Sequence, residues 1–303
     1  MRKIEVIDRS TGELFEEVVA GRAGLEYLLS TSLGGFLLES IVKRRWFSSL
    51  YGLYQESSFS RRAIQPFIEL LGIDMEEAQK EIHEYGSFND FFIRTLHPHA
   101  RPFDSEENRL ILPADGRITV IEKIEKGQVF QIKGVSFQLD EFLQDQELAL
   151  DFEGGSMLIV RLCPADYHRF HFPCEGIAGP SMRIAGHLYS VNPLAIEARP
   201  GLFTENERQI SILENEKVGK ILYAEVGATM VGKIVQTYSP GQQVQKGSEK
   251  GYFKFGASTT VLILPPGKVK IDEDLVENSK KGWETLDKMG QGFATILDTG
   301  TCS

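Results

Sequence analysis

Cysteine is scarce in this sequence, and its placement argues against the usual roles of clustered thiols. The 303 residues include three cysteines, Cys163, Cys174 and Cys302, and no CxxC pair. An odd, scattered set excludes a disulfide framework and a thiolate zinc site as leading hypotheses, and no metal is expected. Because disulfides are rare on the reducing side of membranes, this usage favours a cytoplasmic setting.

Positive charge is also in short supply. The chain has 33 lysine and arginine residues against 43 acidic residues, a formal net charge of −10. Binding to DNA or RNA depends on basic side chains that neutralise phosphates. A nucleic-acid partner is therefore not expected.

Long hydrophobic runs are missing as well. The longest uncharged stretch near the N-terminus covers residues 27–38 and includes serine, threonine and glycine. A helix that spans a bilayer needs roughly 20 predominantly apolar residues, so this stretch does not qualify. The first 21 residues carry charges throughout, which argues against a signal peptide and predicts no export.

The hydrophobic patterns predict an α+β protein with two regions. Residues 1–96 form a mainly helical region after an opening hairpin that turns at Thr11-Gly12, and a charged helical piece, interrupted at Gly282, is expected again over 275–289. Residues 97–303 form a β-rich body, predicted to be antiparallel because alternating runs are not separated by regular helices. These β-prone runs cover residues 110–121, 127–134, 156–164, 208–215, 220–238 and 258–265.

One segment of the helical region departs from the acidic character of the chain. Residues 43–62 carry a local charge of +4, from Lys43, Arg44, Arg45, Arg61 and Arg62 against Glu56, and are rich in aromatic residues that include Trp46, Phe47, Tyr51, Tyr54 and Phe59. Basic and aromatic residues together suit a helix that lies on an anionic membrane surface. The alternative is a helix that packs on the core and exposes a basic edge.

Three short elements could carry chemistry. Asp115 lies in an Asp-Gly turn between two predicted strands, His168 and His171 follow the strand at 156–164, and Ser258 begins the strand at 258–265. Each has a purely structural interpretation, and two histidines three residues apart could also bind a metal, although no third ligand stands at a known spacing. In chain order the elements offer an aspartate to orient a base, a histidine base and a serine nucleophile.

The sequence also resembles the pyruvoyl-dependent phosphatidylserine decarboxylases from about residue 50 to 270. The ordered matches are YGSFNDFFIRTLHPHARPFD, LPADGRI, CPADYHRFHFPCEGI, LYSVNP, NERQISILEN, VGATMVGKI, KGSEKGYFKFGAST and PPGKV. The resemblance implies that Asp115, His171 and Ser258 form a self-processing triad, and that His168 is a further active-site residue. It also implies cleavage between Ala257 and Ser258, where the family usually has glycine before the serine.

The resemblance further implies the activity. Such an enzyme converts phosphatidylserine to phosphatidylethanolamine and CO2 through a Schiff base with a pyruvoyl group, a covalent pyruvate cofactor derived from Ser258. Cleavage would leave a β chain, 1–257, and an α chain, 258–303. The implied partners are phosphatidylserine in membranes and the two chains themselves, with a homodimer left open, at the cytoplasmic face of the cell membrane as a peripheral protein. Two alternatives remain: a serine hydrolase with an intact Asp115, His171 and Ser258 triad, and a membrane adaptor without catalytic activity.

Overall fold

The computed structural model describes residues 5–17, 45–125, 130–132, 135–186, 206–227, 233–255 and 258–297. The helices within these ranges are α1 (Arg45–Glu56), α2 (Ile64–Leu71), α3 (Phe88–Phe92), α4 (Leu139–Leu143), α5 (Gln146–Asp151) and α6 (Glu273–Lys280). None of the described helices is long and apolar enough to cross a bilayer.

The strands carry most of the regular structure of the described ranges. In chain order they are β1 (Glu5–Asp8), β2 (Leu14–Glu16), β3 (Arg109–Ile111), β4 (Gly116–Ile121), β5 (Phe130–Ile132), β6 (Val135–Phe137), β7 (Ser156–Leu162), β8 (Arg169–His171), β9 (Gly176–Ala178), β10 (Met182–Ile184), β11 (Arg208–Asn215), β12 (Gly219–Val226), β13 (Ile234–Gln236), β14 (Gln243–Val244), β15 (Glu249–Phe253), β16 (Ser258–Leu264), β17 (Val269–Ile271), β18 (Glu284–Asp287) and β19 (Gly292–Ile296).

One large sheet organises the described residues. Its strand order is β14-β9-β11-β12-β16-β7-β4-β18-β1-β2, with β10 paired to β11. Three smaller sheets have the orders β13-β15-β8, β17-β19-β3 and β5-β6. The predicted α+β class is confirmed, but the large sheet is mixed and not purely antiparallel, because β1 runs parallel to β18. A parallel pair does not require a short connection, so it can form between strands that lie far apart in the chain. Local sequence patterns do not reveal such a pair.

Strands β7 and β16 lie in the middle of this sheet and are buried along their whole length. Successive side chains of a strand point to opposite faces, so both faces of β16 must be covered. Leu262 and Leu264 contribute to a core that includes Phe170 and Phe253 from the β13-β15-β8 sheet. The alternate residues Val261 and Ile263 belong to a second core that includes side chains of α4.

The fold also contains a buried ion pair between sheets. Lys250 on β15 donates from Nζ to Glu225 Oε1 on β12 at 2.5 Å, and both side chains are fully buried. The ammonium lies 4.6 Å from the ring centre of Tyr223 and 5.1 Å from that of Tyr238, and Gln236 donates to the other carboxylate oxygen. Burial raises the pKa of Glu225 and lowers the pKa of Lys250, although each partner opposes the shift of the other.

The ends of the chain meet in the large sheet. The predicted N-terminal hairpin is confirmed as β1 and β2, with Gly12 in a left-handed conformation at the turn, and β1 pairs with β18. The helical piece expected over 275–289 is confirmed up to its predicted interruption, because α6 ends at Lys280 and Gly282 has a φ of +79°. The prediction is wrong after Gly282, where the chain continues as the strand β18.

A third cluster, built from aliphatic residues of α2 and aromatic residues of α3, packs beside the large sheet. The short helix α3 begins at Ser87, whose hydroxyl accepts a hydrogen bond from the backbone N–H of Asp90. Helix α2 ends at Gly72, which adopts the left-handed conformation common at helix C-termini. The helical region therefore contains a core of its own at the side of the sheet where β15 leads toward β16.

Candidate active site

The elements singled out in the sequence meet at one edge of the large sheet. Strands β4 and β16 lie on either side of β7 and run antiparallel to it. Arg117 at the start of β4 pairs with Arg161, and Ser258 at the start of β16 pairs with Leu162 at the end of β7. Asp115 and Ser258 therefore lie at the same edge as the loop that leaves β7, which carries His168 and leads into β8 with His171 at its end. We call this region the site edge.

Ser258 is the first residue of β16, and its side chain is fully buried. Its hydroxyl oxygen has no hydrogen-bond partner among the described residues. Burying a hydroxyl without a partner costs on the order of 1–3 kcal/mol, so this arrangement is unfavourable for stability alone. Residues 256 and 257 lie outside the described residues, and with them the Ala257-Ser258 bond proposed for cleavage.

His171 lies at the end of β8, and both of its ring nitrogens have partners. Nδ1 is 2.9 Å from the carbonyl oxygen of Gly247, and Nε2 is 3.3 Å from the hydroxyl oxygen of Tyr167. Because a carbonyl can only accept, Nδ1 carries the proton and Nε2 accepts from Tyr167. Burial lowers the pKa of His171, which keeps the imidazole neutral and able to act as a base near pH 7.

Asp115 lies close to His171 but is held by other donors. The backbone N–H of His171 donates to Pro113 O at 2.7 Å, which ties β8 to the turn that carries Asp115. The carboxylate accepts from Arg101 Nη2 at 2.6 Å and from the backbone N–H of Met289 at 2.9 Å. Its charge raises the pKa of His171 against the larger effect of burial. In the uncleaved chain Asp115 thus acts on His171 through its charge, and the expectation that it orients the ring stays a prediction.

His168 lies in the loop before β8 and is fully buried. Its Nδ1 is 2.9 Å from the carbonyl oxygen of Asp166, so Nδ1 carries the proton of the neutral ring. The imidazole packs against Phe92 of α3 with ring centres 3.9 Å apart. Its backbone carbonyl accepts from the N–H of Phe253, which places the end of β15 beside this histidine.

The helical region holds the segment that leads into Ser258. The backbone N–H of Phe255 donates to Asn89 Oδ1 on α3 at 3.0 Å. The ring of Phe255 packs against Phe92 and Phe88, with ring centres 4.9 and 5.0 Å apart, and against Tyr51 of α1 at 5.8 Å. Helices α1 and α3 therefore fix the chain three residues before Ser258.

A cleft of about 820 Å³ opens beside the site edge. Its wall includes Asp115, Asp166, Tyr167 and five arginines, among them Arg94, Arg101 and Arg117. The sequence-based reasoning did not assign roles to Tyr167 or to these arginines. Tyr167 stands next to His168 in the YHRFH motif, and that position was the only signal for it. Arg101 lies 14 residues before Asp115, and nothing in the sequence indicates their contact.

Comparisons with known proteins give a consistent result. A family model described as phosphatidylserine decarboxylase matches residues 88–294. The chain is 47% identical over 294 residues to the phosphatidylserine decarboxylase proenzyme of Clostridium botulinum (strain Alaska E43 / Type E3), which covers 97% of this chain and 99% of that protein.

Two further relatives bear the same name. The chain is 48% identical over 288 residues to the phosphatidylserine decarboxylase proenzyme of Clostridium perfringens (strain ATCC 13124), covering 95% of this chain and 98% of that protein. It is 45% identical over 291 residues to that of Fusobacterium nucleatum subsp. nucleatum, covering 96% of this chain and 97% of that protein. These matches therefore span nearly the full length of this chain and of each relative.

Proposed function

The chain belongs to the phosphatidylserine decarboxylase family, and we propose that it performs the family's reaction with a pyruvoyl group made from its own Ser258. It converts phosphatidylserine to phosphatidylethanolamine and CO2. The observation that carries the proposal is the meeting of Asp115, both histidines and the unpartnered hydroxyl of Ser258 at the site edge. The word proenzyme in the names of the relatives agrees with an enzyme that matures by cleavage.

Maturation would begin with Ser258 as a nucleophile. Its Oγ attacks the carbonyl carbon of Ala257, the peptide C–N bond breaks, and an ester joins the two residues while the amine of residue 258 is released. His171 takes the hydroxyl proton at Nε2, after its bond to Tyr167 is broken, and the charge of Asp115 stabilises the imidazolium that forms. The two reacting groups belong to adjacent residues, so the reaction is intramolecular, and this proximity supplies much of the rate acceleration.

The ester then breaks by elimination. Loss of the α-proton of residue 258 expels the carboxylate of Ala257 and leaves dehydroalanine. Addition of one water releases ammonia and leaves a pyruvoyl group at the start of the chain 258–303. The buried position of Ser258 fits this small uncharged group, because the hydroxyl that is lost has no hydrogen-bond partner among the described residues.

In turnover the ketone of this group supplies an electron sink for the electron pair left when CO2 departs. The chain's own contribution is proton transfer by buried groups. His168 carries a proton at Nδ1 toward Asp166, which makes Nε2 the ring atom that takes up and delivers a proton. We assign to His168 the proton that replaces the departing carboxyl group.

An intact-mass spectrum of the purified protein tests the proposal. The expected result is two chains, 1–257 and 258–303, the second with a pyruvoyl end in place of an amino-terminal serine. Ser258→Ala should give one uncleaved, folded and inactive chain. A single full-length chain with full decarboxylase activity would overturn the pyruvoyl assignment and support the serine hydrolase type of site, in which the serine stays intact.

We further propose that α1 and the turn after it dock the enzyme on anionic membranes. Leu50, Leu53 and Tyr54 share one face of α1, and with Phe59 each is more than half exposed. Large apolar side chains clustered on a surface mark an interaction site more often than isolated ones do. The exposed Arg61 and Arg62 follow directly, and they add attraction to anionic headgroups. Of the other basic residues in this segment, Lys43 and Arg44 lie outside the described residues.

The adjacent flank of the same helix supports this proposal. Tyr51 packs on Phe255, so the helix that would touch the lipid also contacts the segment leading to Ser258. A diacyl substrate that stays in its bilayer could then present its headgroup to the site edge. This arrangement would make the enzyme a peripheral protein of the cell membrane, on the cytoplasmic side favoured by its scarce cysteines.

A further inference from the structure

Arg94 is a buried cation without a carboxylate partner among the described residues. Its side chain is 5% exposed, and Nη2 donates to the carbonyl oxygens of Ala165 at 2.9 Å and Asp166 at 3.3 Å. Nε and Nη1 have no hydrogen-bond partner in the part of the chain that the structure describes. Buried charges are normally paired, because an unpaired charge is expensive to remove from water.

The carboxylates near Arg94 are already neutralised by other arginines. Asp115 is bound by Arg101 at 2.6 Å, and Asp166 is bound by Arg117 at 2.5 Å. Desolvation lowers the pKa of Arg94, as expected for a cation that lacks direct compensation. An additional anion at this place would therefore meet a positive charge that no described carboxylate contacts.

Arg94 also lies directly beside the proposed catalytic machinery. Its Nη2 and Nδ1 of His168 both contact the same carbonyl oxygen, that of Asp166. It contributes to the wall of the cleft that Asp115 and Tyr167 also line. The guanidinium carbon lies 5.2 Å from the centre of the Phe91 ring, and a rotation of the side chain away from this ring would make the N–H groups of Nε and Nη1 available to an anion in the cleft.

We propose that Arg94 binds the phosphodiester of the substrate headgroup, and this inference rests on the proposed function. A serine phospholipid brings two anions, a carboxylate and a phosphodiester. The carboxylate must leave as neutral CO2, so a cation bound to it would stabilise the ground state more than the transition state and would slow the reaction. The phosphodiester keeps its charge throughout. The N–H groups of Nε and Nη1, which lack a partner among the described residues, are each able to donate to a phosphate oxygen, and such a hydrogen bond is strong because both groups are charged.

The kinetic test compares two soluble substrates. Glycerophosphoserine carries the phosphodiester, and O-methylserine has the same amino acid without it. Arg94→Gln should raise the KM for glycerophosphoserine by roughly 10- to 100-fold, with kcat changed by less than about threefold, because the lost bond is made equally in both states. The kcat/KM for O-methylserine should stay unchanged. Arg94→Lys should fall between, and Arg183→Gln, the same charge change at an exposed ion pair, should match wild type.

Equal losses on both substrates, or a lower kcat for glycerophosphoserine at unchanged KM, would overturn the inference. A direct binding test does not depend on turnover: glycerophosphoethanolamine is titrated into the uncleaved Ser258→Ala chain with and without Arg94→Gln. Binding that the second substitution weakens at least tenfold supports the subsite. Equal binding to both chains, or binding to neither, overturns it. In wild type, glycerophosphoethanolamine should also compete at least tenfold better than ethanolamine, a comparison that needs no variant. Failure of the proposed function would show itself separately, as an uncleaved wild-type chain.

Discussion

Replacing Lys250 by methionine should destabilise the protein strongly, because it leaves the carboxylate of Glu225 buried without its cation. Both members of this pair are fully buried, and Nζ is 2.5 Å from Oε1. Removing one partner of such a pair costs about 3–5 kcal/mol, whereas removing both charges together costs far less. We expect the free energy of unfolding of Lys250→Met to fall by about 3–5 kcal/mol, and the double variant Lys250→Met/Glu225→Gln to recover about half of that loss or more.

The assay is urea unfolding of the Ser258→Ala chain, so that a single uncut polypeptide is compared throughout. Lys220→Met is the matched control, since Lys220 pairs with Asp151 at 2.9 Å on the surface, where solvent screens the pair, and its loss should leave the free energy of unfolding nearly unchanged. The pH dependence gives a second readout. Burial raises the pKa of Glu225 above its unfolded value, and loss of Lys250 should raise it further. The carboxyl group then takes up a proton on folding, so the deficit of Lys250→Met should shrink as the pH falls.

The reasoning would be refuted by a Lys250→Met variant whose deficit is the same at pH 8 and pH 5. It would also fail if the double variant were no more stable than the single one. Either result would mean that the lysine stabilises this site by its packing against Tyr223 and Tyr238, and not by neutralising Glu225.

Three further predictions concern the site and the membrane. His168→Ala should still cleave on a denaturing gel but lose most decarboxylation, and an uncleaved but folded variant would contradict the separate roles given to the two histidines. Asp115→Asn should slow self-cleavage and move the acid limb of the pH-rate profile of self-cleavage to lower pH, because the charge of Asp115 raises the pKa of His171. If freshly synthesised Asp115→Asn chain keeps the wild-type acid limb, this prediction is wrong. Leu53→Ser should weaken sedimentation with phosphatidylserine liposomes at all salt concentrations, whereas Arg62→Gln should weaken it by about 1 kcal/mol at low salt only. Unchanged binding in both would place the docking surface elsewhere.

The sequence predicted local elements well where a single pattern decided them. The runs at 156–164 and 258–265 became the strands β7 and β16, and the Asp-Gly turn at Asp115 lies between β3 and β4 as expected. Gly116 shows why glycine stands there: a Cβ would lie 2.5 Å from the carbonyl oxygen of Arg161. The sequence thus indicates that a turn lies here, because Asp and Gly favour turns locally, whereas the close approach to Arg161 that requires glycine depends on the sheet.

Contacts between distant residues could not be predicted from these patterns. From its sequence context, a charged residue next to a short hairpin, Glu17 would be expected on the surface. In the structure it is buried and binds both Arg117 and Arg161. The pairing of Asp115 with Arg101, and of β1 with β18, likewise depends on how the whole sheet assembles. Hydrophobic periodicity shows which face of an element is buried, but it does not identify the partner.

The central position of β16 determines the order in which this enzyme can be made. If the chain is cut before Ser258, the fragment that begins there contributes a middle strand, hydrogen-bonded to β12 on one side and to β7 on the other. The two mature chains would then contact each other in the interior of one domain, and not at an interface between two separately folded subunits. The chain must therefore fold before it is cut, while all strands of the sheet still belong to one molecule. A mature enzyme that is fully unfolded would have to reassemble from two molecules, so its recovery should depend on concentration, whereas that of the uncut chain should not.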